Sequence, residues 1–589
     1  MRGLKLLIGS AAIFFIAAAL LGGASRPARS IAKPVDGARI ENSDGEAGNW
    51  LSYGRTYSEQ RFSPLKRINA DNAKNLGLAW FADLDTNRGL EATPLIVDGV
   101  VYISTAWSLV KAYDGRTGRL LWTYDPETPR EVAGKACGDG MNRGVAAWNG
   151  KIFVGTPQGR LIALNAATGK PVWSTLTTDP SLPYAITQAP RVINGRVMIG
   201  NCGGEHEGRG FISAYEAESG KLIWRFFTVP GDPSKPFENE AMARAAKTWS
   251  GEWWKLGGGG AVWDSISFDP KLNLLYFGTG RGGGWDQHEH SLNRGDHLYV
   301  ASIVALNADT GAYVWHYQAT PGDGWDYDAV QQLVLADLGV EGTRRQVIMQ
   351  ANKNGFFYVL DRGTGELISA APIVPLNWAA GIDRKTGRPI QGKDARYSVS
   401  GQPVGIMPDP VGAHSWTPMA YSPSTGLVYI PVIQIASRLL PVVTDPKYSP
   451  MGRNVDASYT TTSAHQGFLL AWDPIHQKEV WRVSYRDPWN GGVVTTAGNI
   501  VAQGDTAGTF NVYRADTGQK LWSMSAQSGI IGGPSTFEVD GEQYIAVLSG
   551  CGGAAADSGH LRNISRILAF KLGGTAALPP VHAEVEPAR

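Results

Sequence analysis

The sequence is poor in cysteine and has no excess of charge of either sign. Its three cysteines, Cys137, Cys202 and Cys551, are too few for a disulfide framework, although an exported protein could form one disulfide from them. It contains no Cys-x-x-Cys-His motif, which excludes a c-type haem attached covalently through that motif. The 54 basic residues nearly balance the 53 acidic ones, which argues against nucleic acid as a partner.

Long apolar runs are also missing, except at the N-terminus. There, Arg2 and Lys5 precede an apolar run from Leu6 to about Ala24, and small residues follow. This order is typical of an export signal, so we expect residues 1–30 to be removed as a signal peptide. The mature protein would then work outside the cytoplasm without stable membrane insertion. An uncleaved anchor is the alternative, because the run is just long enough to span a bilayer.

Glycine, proline and tryptophan, by contrast, are abundant, and many of them fall in a recurring phrase. The phrase contains a strand that ends in Ala, a turn through Asp or Asn and Thr-Gly, and a strand that ends in Trp. The clear copies are AYDGRTGRLLW (112–122), ALNAATGKPVW (163–173), AYEAESGKLIW (214–224), ALNADTGAYVW (305–315), AWDPIHQKEVW (471–481) and VYRADTGQKLW (512–522). Weaker copies are VLDRGTGELIS (359–369) and AYSPSTGLVYI (420–430), and a half-copy ends at Trp80.

The repeat predicts an all-β fold, an eight-bladed β-propeller with Trp-docking motifs. The first closing tryptophans are 51 residues apart, and strand signals between the phrases make about four strands per unit. A closing Trp could lie flat between neighbouring sheets and bury ~200 Å² there. We assign residues 31–575 to the propeller, with its N-terminal segment completing the last blade, and 576–589 to a tail. Unrelated hairpins in several β-domains are the alternative.

Ten segments that interrupt the repeat lie between about Asn49 and Leu572. They are NWLSYGRTYSEQRFSPL, MNRGVA, YAITQAPRV, GGEHEGRGF, TVPGDPSKPFE, GGGGAVWDS, GDHLYVASIVALN, TPGDGWDYDA, KNGFFYVLDR and PLNWAAGID. In these segments the chain resembles the methanol/ethanol dehydrogenase family that depends on pyrroloquinoline quinone (PQQ). The resemblance implies a periplasmic alcohol dehydrogenase that transfers a hydride to PQQ and passes electrons to a separate, soluble cytochrome c.

The resemblance also implies a binding site for PQQ, a planar ortho-quinone with three carboxylates. Such a site needs cations, hydrogen-bond donors and flat apolar surfaces. Arg143 and Lys353 match the cations of the family, and Trp263 matches the tryptophan beneath the ring system. The other positions that the resemblance assigns to the cofactor are Glu91, Thr187, Cys202, Gly203, Gly204, Asn377 and Trp378.

For catalysis, the resemblance points to Asp296 in GDHLYV as the general base that takes the proton of the alcohol. It points to Glu205, together with Asp296, as ligands of a Ca²⁺ ion that polarises the quinone. Relatives that use lanthanides carry an extra carboxylate two residues beyond the catalytic aspartate. Leu298 occupies that position here, so calcium is the metal that we expect.

Two departures from the family concern this site. Arg281, in GTGRG, stands where the family has an asparagine ligand, and arginine cannot ligate a cation. Three outcomes stay open: the metal persists, Arg281 replaces it, or the site is disabled. The family also has two adjacent cysteines that form a disulfide over PQQ, whereas Cys137 is followed by glycine. We hypothesise that Cys137 pairs with Cys202 or Cys551; three reduced cysteines are the alternative.

The expected substrate is a small alcohol. Trp285, Trp416 and Trp489 should cap the channel, and such an aromatic vestibule suits a primary or longer-chain alcohol. One alternative is a catalytically impaired propeller of the PQQ family that acts as a binding or scaffold protein. Another is an enzyme of the same type that oxidises sugars, polyols or polymeric alcohols. The sequence leaves the physiological alcohol and the oligomeric state open, including a homodimer.

Overall fold

Antiparallel strands form most of the fold, as the sequence predicts. The computed structural model describes residues 33–134, 140–206, 208–283, 294–441, 457–462, 465–551 and 562–581. Within these ranges, eight sheets have four or five strands each. We number them 1 to 8 along the chain, and most are built from four consecutive strands in sequence order.

Sheets 1 to 4 follow one another along the first half of the chain. Sheet 1 contains the strands Leu95–Val97, Val100–Ser104, Val110–Asp114 and Leu120–Tyr124. Sheet 2 contains Ala146–Trp148, Lys151–Gly155, Arg160–Asn165 and Pro171–Leu176. Sheet 3 contains Arg191–Ile193, Arg196–Gly200, Phe211–Glu216 and Leu222–Phe227. Sheet 4 contains Ile266–Asp269, Leu274–Gly278, Ser302–Asn307 and Tyr313–Gln318.

Sheets 5 to 8 complete the series. Sheet 5 contains Val334–Val340, Thr343–Ala351, Phe356–Asp361 and Leu367–Pro372. Sheet 6 contains Ala420–Ser422, Leu427–Gln434, Gln466–Asp473 and Lys478–Tyr485. Sheet 7 contains Phe62–Ser63, Asn490–Thr496, Ile500–Asp505, Thr509–Arg514 and Lys520–Ser525. Sheet 8 contains Leu76–Asp83, Ser535–Val539, Glu542–Ser549 and Arg566–Leu572.

Short strands and helices accompany these sheets. Two small sheets lie between sheet 5 and the third strand of sheet 6; their strands are Ala379–Ile382 with Pro389–Gln391, and Val404–Ile406 with Ser437–Pro441 and Ala457–Thr461. The α-helices are Gly37–Glu41, Glu240–Ala246 and Tyr397–Ser400. The 3-10 turns are Ser43–Glu46, Ala73–Asn75, Ala106–Ser108, Arg130–Gly134, Gly204–His206 and Trp253–Leu256. None of the helices in the described ranges combines the length and apolar character needed to span a bilayer. The predicted signal peptide lies outside those ranges.

The repeated phrase forms the turn between the third and fourth strands of a sheet. In sheet 1, the Asp114 carboxylate accepts hydrogen bonds from the backbone N–H and the hydroxyl of Thr117, at 3.0 and 2.9 Å. Gly118 follows with φ +71°, a left-handed conformation that favours glycine. Asn165 and Thr168 make the same bonds in sheet 2. The Asp/Asn-x-x-Thr-Gly signature therefore encodes a specific turn.

The closing tryptophan of one sheet packs on the turn of the next sheet. Trp122 of sheet 1 donates its indole N–H to the carbonyl oxygen of Ala166 in sheet 2, at 3.0 Å. A Cβ atom at Gly169 would lie 2.5 Å from the Trp122 ring, so only glycine fits beneath it. The same contact between a ring and a glycine joins Trp80 to Gly118, Trp173 to Gly220, Trp224 to Gly311, Trp315 to Gly365 and Trp481 to Gly518.

Apolar side chains fill the spaces between neighbouring sheets. Phe153 of sheet 2 shares a buried cluster with Ile199 of sheet 3, and Val347 of sheet 5 shares one with Val428 of sheet 6. The series closes where the N-terminal strand Leu76–Asp83 pairs antiparallel with Arg566–Leu572 in sheet 8. The prediction that an N-terminal segment completes the last unit is confirmed.

Candidate active site

The candidate site is built from equivalent positions in successive sheets. One set of side chains lies just before the first strands of sheets 1 to 5: Glu91, Arg143, Thr187, Trp263 and Asp328. A second set follows the second strands of sheets 3 to 5: Cys202, Arg281 and Lys353. The start of one strand and the end of its antiparallel neighbour lie at the same end of a sheet. The fold therefore gathers both sets at one end.

Arg143 occupies the centre of the first set. Its guanidinium forms a buried ion pair with Glu91 at 2.9 Å and donates to the Thr187 hydroxyl at 2.9 Å. The guanidinium carbon also lies 5.0 Å from the ring centroids of both Trp263 and Trp416, within cation–π distance. The structure thus brings together these four residues, which the sequence predicts near PQQ, and adds Trp416 from the predicted cap.

Asp328 connects Trp263 to Arg281. One carboxylate oxygen of Asp328 accepts the indole N–H of Trp263 at 3.0 Å. The other accepts the backbone N–H of Arg281 at 2.6 Å. The orientation of the Trp263 ring and the path of the GTGRG loop are therefore fixed by the same buried carboxylate.

Asp326 is a carboxylate held between two cations. Its Oδ1 lies 3.1 Å from Nε of Arg281, and its Oδ2 lies 2.9 Å from Nζ of Lys353. Arg281 and Lys353 are buried, while the Asp326 side chain keeps 17% of its surface exposed. Burial alone would lower the pKa of Lys353, but the charges of Asp326 and Asp328 outweigh it and raise that pKa above its usual value. Lys353 therefore stays protonated beside Asp326.

The loop that carries Asp326 is held in an unusual conformation. Asp326 has φ +67°, a left-handed value that is uncommon outside glycine and often marks functional sites. The Asp323 carboxylate accepts the backbone N–H groups of Trp325 and Tyr327 on either side of Asp326. Burial raises the pKa of Asp323 to about 6, against the effect of those hydrogen bonds.

Trp378 packs against the loop that carries Asp326. The sequence places it at the rim of the cofactor, but the structure buries it completely in a cluster with Trp325 and Tyr327. Its ring centroid lies 5.2 Å from that of Trp325 and 5.4 Å from that of Tyr327. In this structure the Trp378 indole therefore packs within the cluster, and its predicted contact with the cofactor stays a prediction.

Asn377 makes its side-chain hydrogen bonds to another part of the chain, and its predicted contact with the cofactor stays a prediction. Its side chain is exposed, donates to the carbonyl oxygen of Gly405 at 3.0 Å and accepts the N–H of Met407 at 2.7 Å. These bonds hold two loop segments together at the surface. Although they are adjacent in sequence, Asn377 is exposed and Trp378 is buried.

The Asp296 carboxylate pairs with a different cation. Its carboxylate forms a two-pronged ion pair with the Arg388 guanidinium at 2.7 and 2.8 Å, and 37% of the side chain is exposed. The hydrogen bonds from Arg388 lower the pKa of Asp296 below its usual value. The aspartate that the structure places beside Lys353 and Arg281 is instead Asp326.

Asp326 and Asp328 are the residues that sequence reasoning missed. Both lie in TPGDGWDYDA, a motif that already supports the resemblance, so the sequence contained a signal for them.

Three of the predicted site residues, Gly203, Gly204 and Glu205, follow the second strand of sheet 3. The two glycines make close contacts with neighbouring segments. Gly203 has φ +105°, and a Cβ there would collide with the carbonyl oxygen of Pro183. Gly204 packs closely on Ala261, with 3.4 Å from an added Cβ to that side chain. The carboxylate of Glu205 lies outside the described part of the chain.

Two of the three cysteines can be placed relative to the site. Cys202 is disulfide-bonded and packs in a small cluster with Trp263. Cys551 carries a thiol rather than a disulfide and packs against the cluster of Trp416 and Trp489. This excludes the hypothesised bond between Cys137 and Cys551. Cys137 lies outside the described residues, as does Trp285, so the pairing of Cys137 with Cys202 stays a proposal.

The described residues do not form a cluster of metal ligands. Within the described ranges, no group of three or more His, Cys, Asp and Glu side chains could hold a metal ion. Among the described residues, Asp326 and Asp328 contact Arg281, and both carboxylates are already engaged by protein N–H donors or cations. These residues suit a planar polyanion that needs cations and aromatic faces better than they suit a metal ion.

Comparison with known proteins agrees with this donor set. Residues 50–377 and 466–545 match the family model described as "PQQ: Glucose/ethanol/alcohol dehydrogenase, beta-propeller domain". The chain belongs to this family. The predicted family and the β-propeller fold are both confirmed, and the family's dependence on PQQ matches the cations and indoles gathered at the site.

Individual relatives resemble the chain over nearly its full length. The quinohemoprotein alcohol dehydrogenase ADH IIB of Pseudomonas putida is 51% identical over 566 residues, covering 94% of this chain and 82% of that protein. The crystal structure of quinohemoprotein alcohol dehydrogenase from Comamonas testosteroni has a TM-score of 0.89 at 46% identity, covering 95% and 86%. A europium-containing methanol dehydrogenase has a TM-score of 0.83 at 32% identity, covering 91% and 100%.

Proposed function

We propose that this protein is a periplasmic quinoprotein dehydrogenase that oxidises an alcohol to an aldehyde with PQQ as cofactor. The observation that carries the proposal is Asp326, a partly exposed carboxylate fixed between Arg281 and Lys353 near the Arg143–Trp263 group. The names of the relatives support alcohol as the substrate class. The export signal predicted at residues 1–30 supports the periplasm.

The gathered residues fit PQQ by their chemistry. Arg143, Arg281 and Lys353 offer cationic donors for its carboxylates and quinone oxygens. Trp263 and Trp416 offer flat aromatic faces for its ring system. A non-catalytic scaffold would have no use for three buried cations and a strained carboxylate at one end of the sheets, so this alternative is not favoured.

The chain's own residues would carry out the proton chemistry. When bound, PQQ supplies an ortho-quinone that can accept a hydride from the alcohol carbon. Asp326 would accept the hydroxyl proton, since it is the partly exposed carboxylate of the group. Lys353 and Arg281 hold that carboxylate in place, and the buried aromatic cluster of Trp416 and Trp489 would exclude water around the substrate. No step here uses a metal ion.

We further propose that the eight sheets are the eight blades of the propeller and that the tryptophan–glycine contacts between them are Trp-docking motifs. Six such contacts and the pairing of the N-terminal strand in sheet 8 support this arrangement. Electrons would leave through a separate, soluble cytochrome c, because this sequence contains no Cys-x-x-Cys-His motif.

Two measurements test the proposed activity. Purified protein is titrated with PQQ while tryptophan fluorescence is recorded, and reduction of an artificial dye is then followed on adding ethanol, 1-butanol, glycerol or glucose. We expect one PQQ per chain and dye reduction that depends on both PQQ and alcohol. Binding without alcohol-dependent reduction would support the scaffold alternative, and reduction with glucose or glycerol alone would reassign the substrate class.

A further inference from the structure

Both oxygens of the Asp326 carboxylate are bound by cations of the protein itself. Arg281 approaches Oδ1 at 3.1 Å through Nε, and Lys353 approaches Oδ2 at 2.9 Å through Nζ. Calcium typically collects six to eight oxygen ligands at about 2.3–2.6 Å. A calcium ion at Asp326 would have to displace at least one of these two cations.

The neighbouring carboxylate is engaged as well. Asp328 accepts one hydrogen bond from the Arg281 backbone and one from the Trp263 indole, one at each oxygen. These N–H groups point their hydrogens at the lone pairs that a metal would use. Across the described residues, the absence of a ligand cluster agrees with this engagement of both carboxylates.

The charge of Arg281 is permanent. A guanidinium stays protonated in proteins and cannot ligate a cation. The side chain is buried, with 6% of its surface exposed, so solvent screens it little. A divalent ion placed beside it would meet strong repulsion, because like charges at short range interact strongly away from bulk water.

We propose that Arg281 takes the place of a metal ion in this site, so that the protein binds PQQ and oxidises alcohol without bound calcium or lanthanide. The guanidinium supplies the fixed positive charge beside the base, and Asp326 anchors it there. This inference rests on the proposed function, since it requires PQQ as the cofactor. On this inference, the arginine in GTGRG takes part in the reaction and does not disable the site.

The test measures metal content and PQQ binding separately from turnover. Wild-type protein is treated with EDTA, its metals are quantified by mass spectrometry, and PQQ affinity is measured by tryptophan quenching without metal, with Ca²⁺ and with La³⁺. We expect metal-depleted protein to bind PQQ with unchanged affinity, and neither ion to improve it. Stoichiometric metal that survives EDTA, or PQQ binding that requires Ca²⁺ or La³⁺, would overturn the inference.

Two variants of Arg281 and one control sharpen the result. Arg281→Asn should weaken PQQ binding about tenfold or more without metal, the effect of losing a charge-assisted hydrogen bond. Added Ca²⁺ should recover part of that affinity. Arg281→Lys, which keeps the charge, should stay independent of metal. Arg344→Gln, at the exposed ion pair with Asp337, is the matched control and should behave as wild type.

The outcomes separate this inference from the proposed function. Binding of PQQ only in the presence of metal would overturn the role of Arg281 and leave the quinoprotein proposal intact. Absence of PQQ binding under every condition would overturn both. Circular dichroism and melting temperature check the fold of each variant, and the wild-type metal analysis decides the question even if Arg281→Asn does not fold.

Discussion

At the scale of single residues, the role proposed for Asp326 depends on how its carboxylate is held. Its backbone is in the left-handed region, its neighbours Trp325 and Tyr327 are pinned by Asp323, and its oxygens meet Arg281 and Lys353. A residue in a sparsely populated conformation costs on the order of 1–3 kcal/mol, which the surrounding contacts must offset. The site therefore holds Asp326 in a strained backbone conformation, although a relaxed conformation would cost less free energy.

Replacing this carboxylate gives a direct comparison with the aspartate favoured by the sequence. Asp326→Asn should lower kcat by about 10²–10⁴-fold, the usual contribution of a general base. Asp296→Asn should leave kcat unchanged, because the Asp296 carboxylate pairs with Arg388 rather than with Arg281 and Lys353. Steady-state dye reduction with saturating PQQ provides the measurement. A large loss in Asp296→Asn with an active Asp326→Asn would return the role of base to Asp296.

The sequence could predict which residue types the site needs, but it could not predict which loops meet. Arg143, Thr187 and Trp263 lie in motifs just before strands, and the regular repeat is enough to gather them. Asp296 and Asp326 both follow a glycine-containing turn in the interruptions around sheet 4 and sheet 5. Tertiary packing distinguishes them, because Lys353 and Arg281 pair with Asp326. Arg388 pairs with Asp296 instead.

At the scale of elements, the repeated hairpin and its tryptophan form the unit of packing. Gly169 has φ +70° and lies beneath the Trp122 ring, whereas Gly150 has φ +74° with no atom near an added Cβ. This pair separates the effect of backbone conformation from that of the tryptophan contact. Both glycines are in sheet 2, so the comparison stays within one element.

The glycine pair gives a prediction about stability. Gly150→Ala should lower the free energy of unfolding by about 1–2 kcal/mol, the cost of the left-handed conformation for alanine. Gly169→Ala should lower it by about 1–3 kcal/mol more, because the added methyl meets the Trp122 ring. Thermal melts followed by circular dichroism measure the difference. Equal melting temperatures for the two variants would show that the tryptophan contact contributes nothing.

The repeat was informative about elements, with one instructive exception. VLDRGTGELIS lacks the tryptophan yet forms the third-to-fourth hairpin of sheet 5, because its Asp361-Thr364-Gly365 turn is intact. AYSPSTGLVYI instead forms the first hairpin of sheet 6, whose outer hairpin is AWDPIHQKEVW. A similar turn sequence cannot reveal which pair of strands it connects, since both pairs are antiparallel.

At the scale of the whole molecule, buried carboxyl groups connect stability to pH. Burial raises the pKa of Asp264 to about 7, although Arg143 and Arg191 oppose the shift. In the unfolded chain an aspartate titrates near 3.9. Between these two values the folded state holds a proton that the unfolded state has released, so stability falls as pH rises, by up to about 1.4 kcal/mol per pH unit.

Removing this group should remove its share of the pH dependence. Asp264→Asn is neutral at every pH, so its melting temperature relative to wild type should rise between about pH 4 and pH 7. Asp296→Asn is the control, because the Arg388 ion pair lowers its pKa and no such rise is expected in that window. A constant difference between Asp264→Asn and wild type across this range would contradict the assignment.

The pairing of Leu76–Asp83 with Arg566–Leu572 has a consequence for how the protein is made. This early strand can pair with its neighbour only after almost the entire chain has been synthesised. A chain cut short before residue 566 would leave two sheet edges open, and open edges promote aggregation. Completion of sheet 8 therefore depends on synthesis of nearly the whole chain.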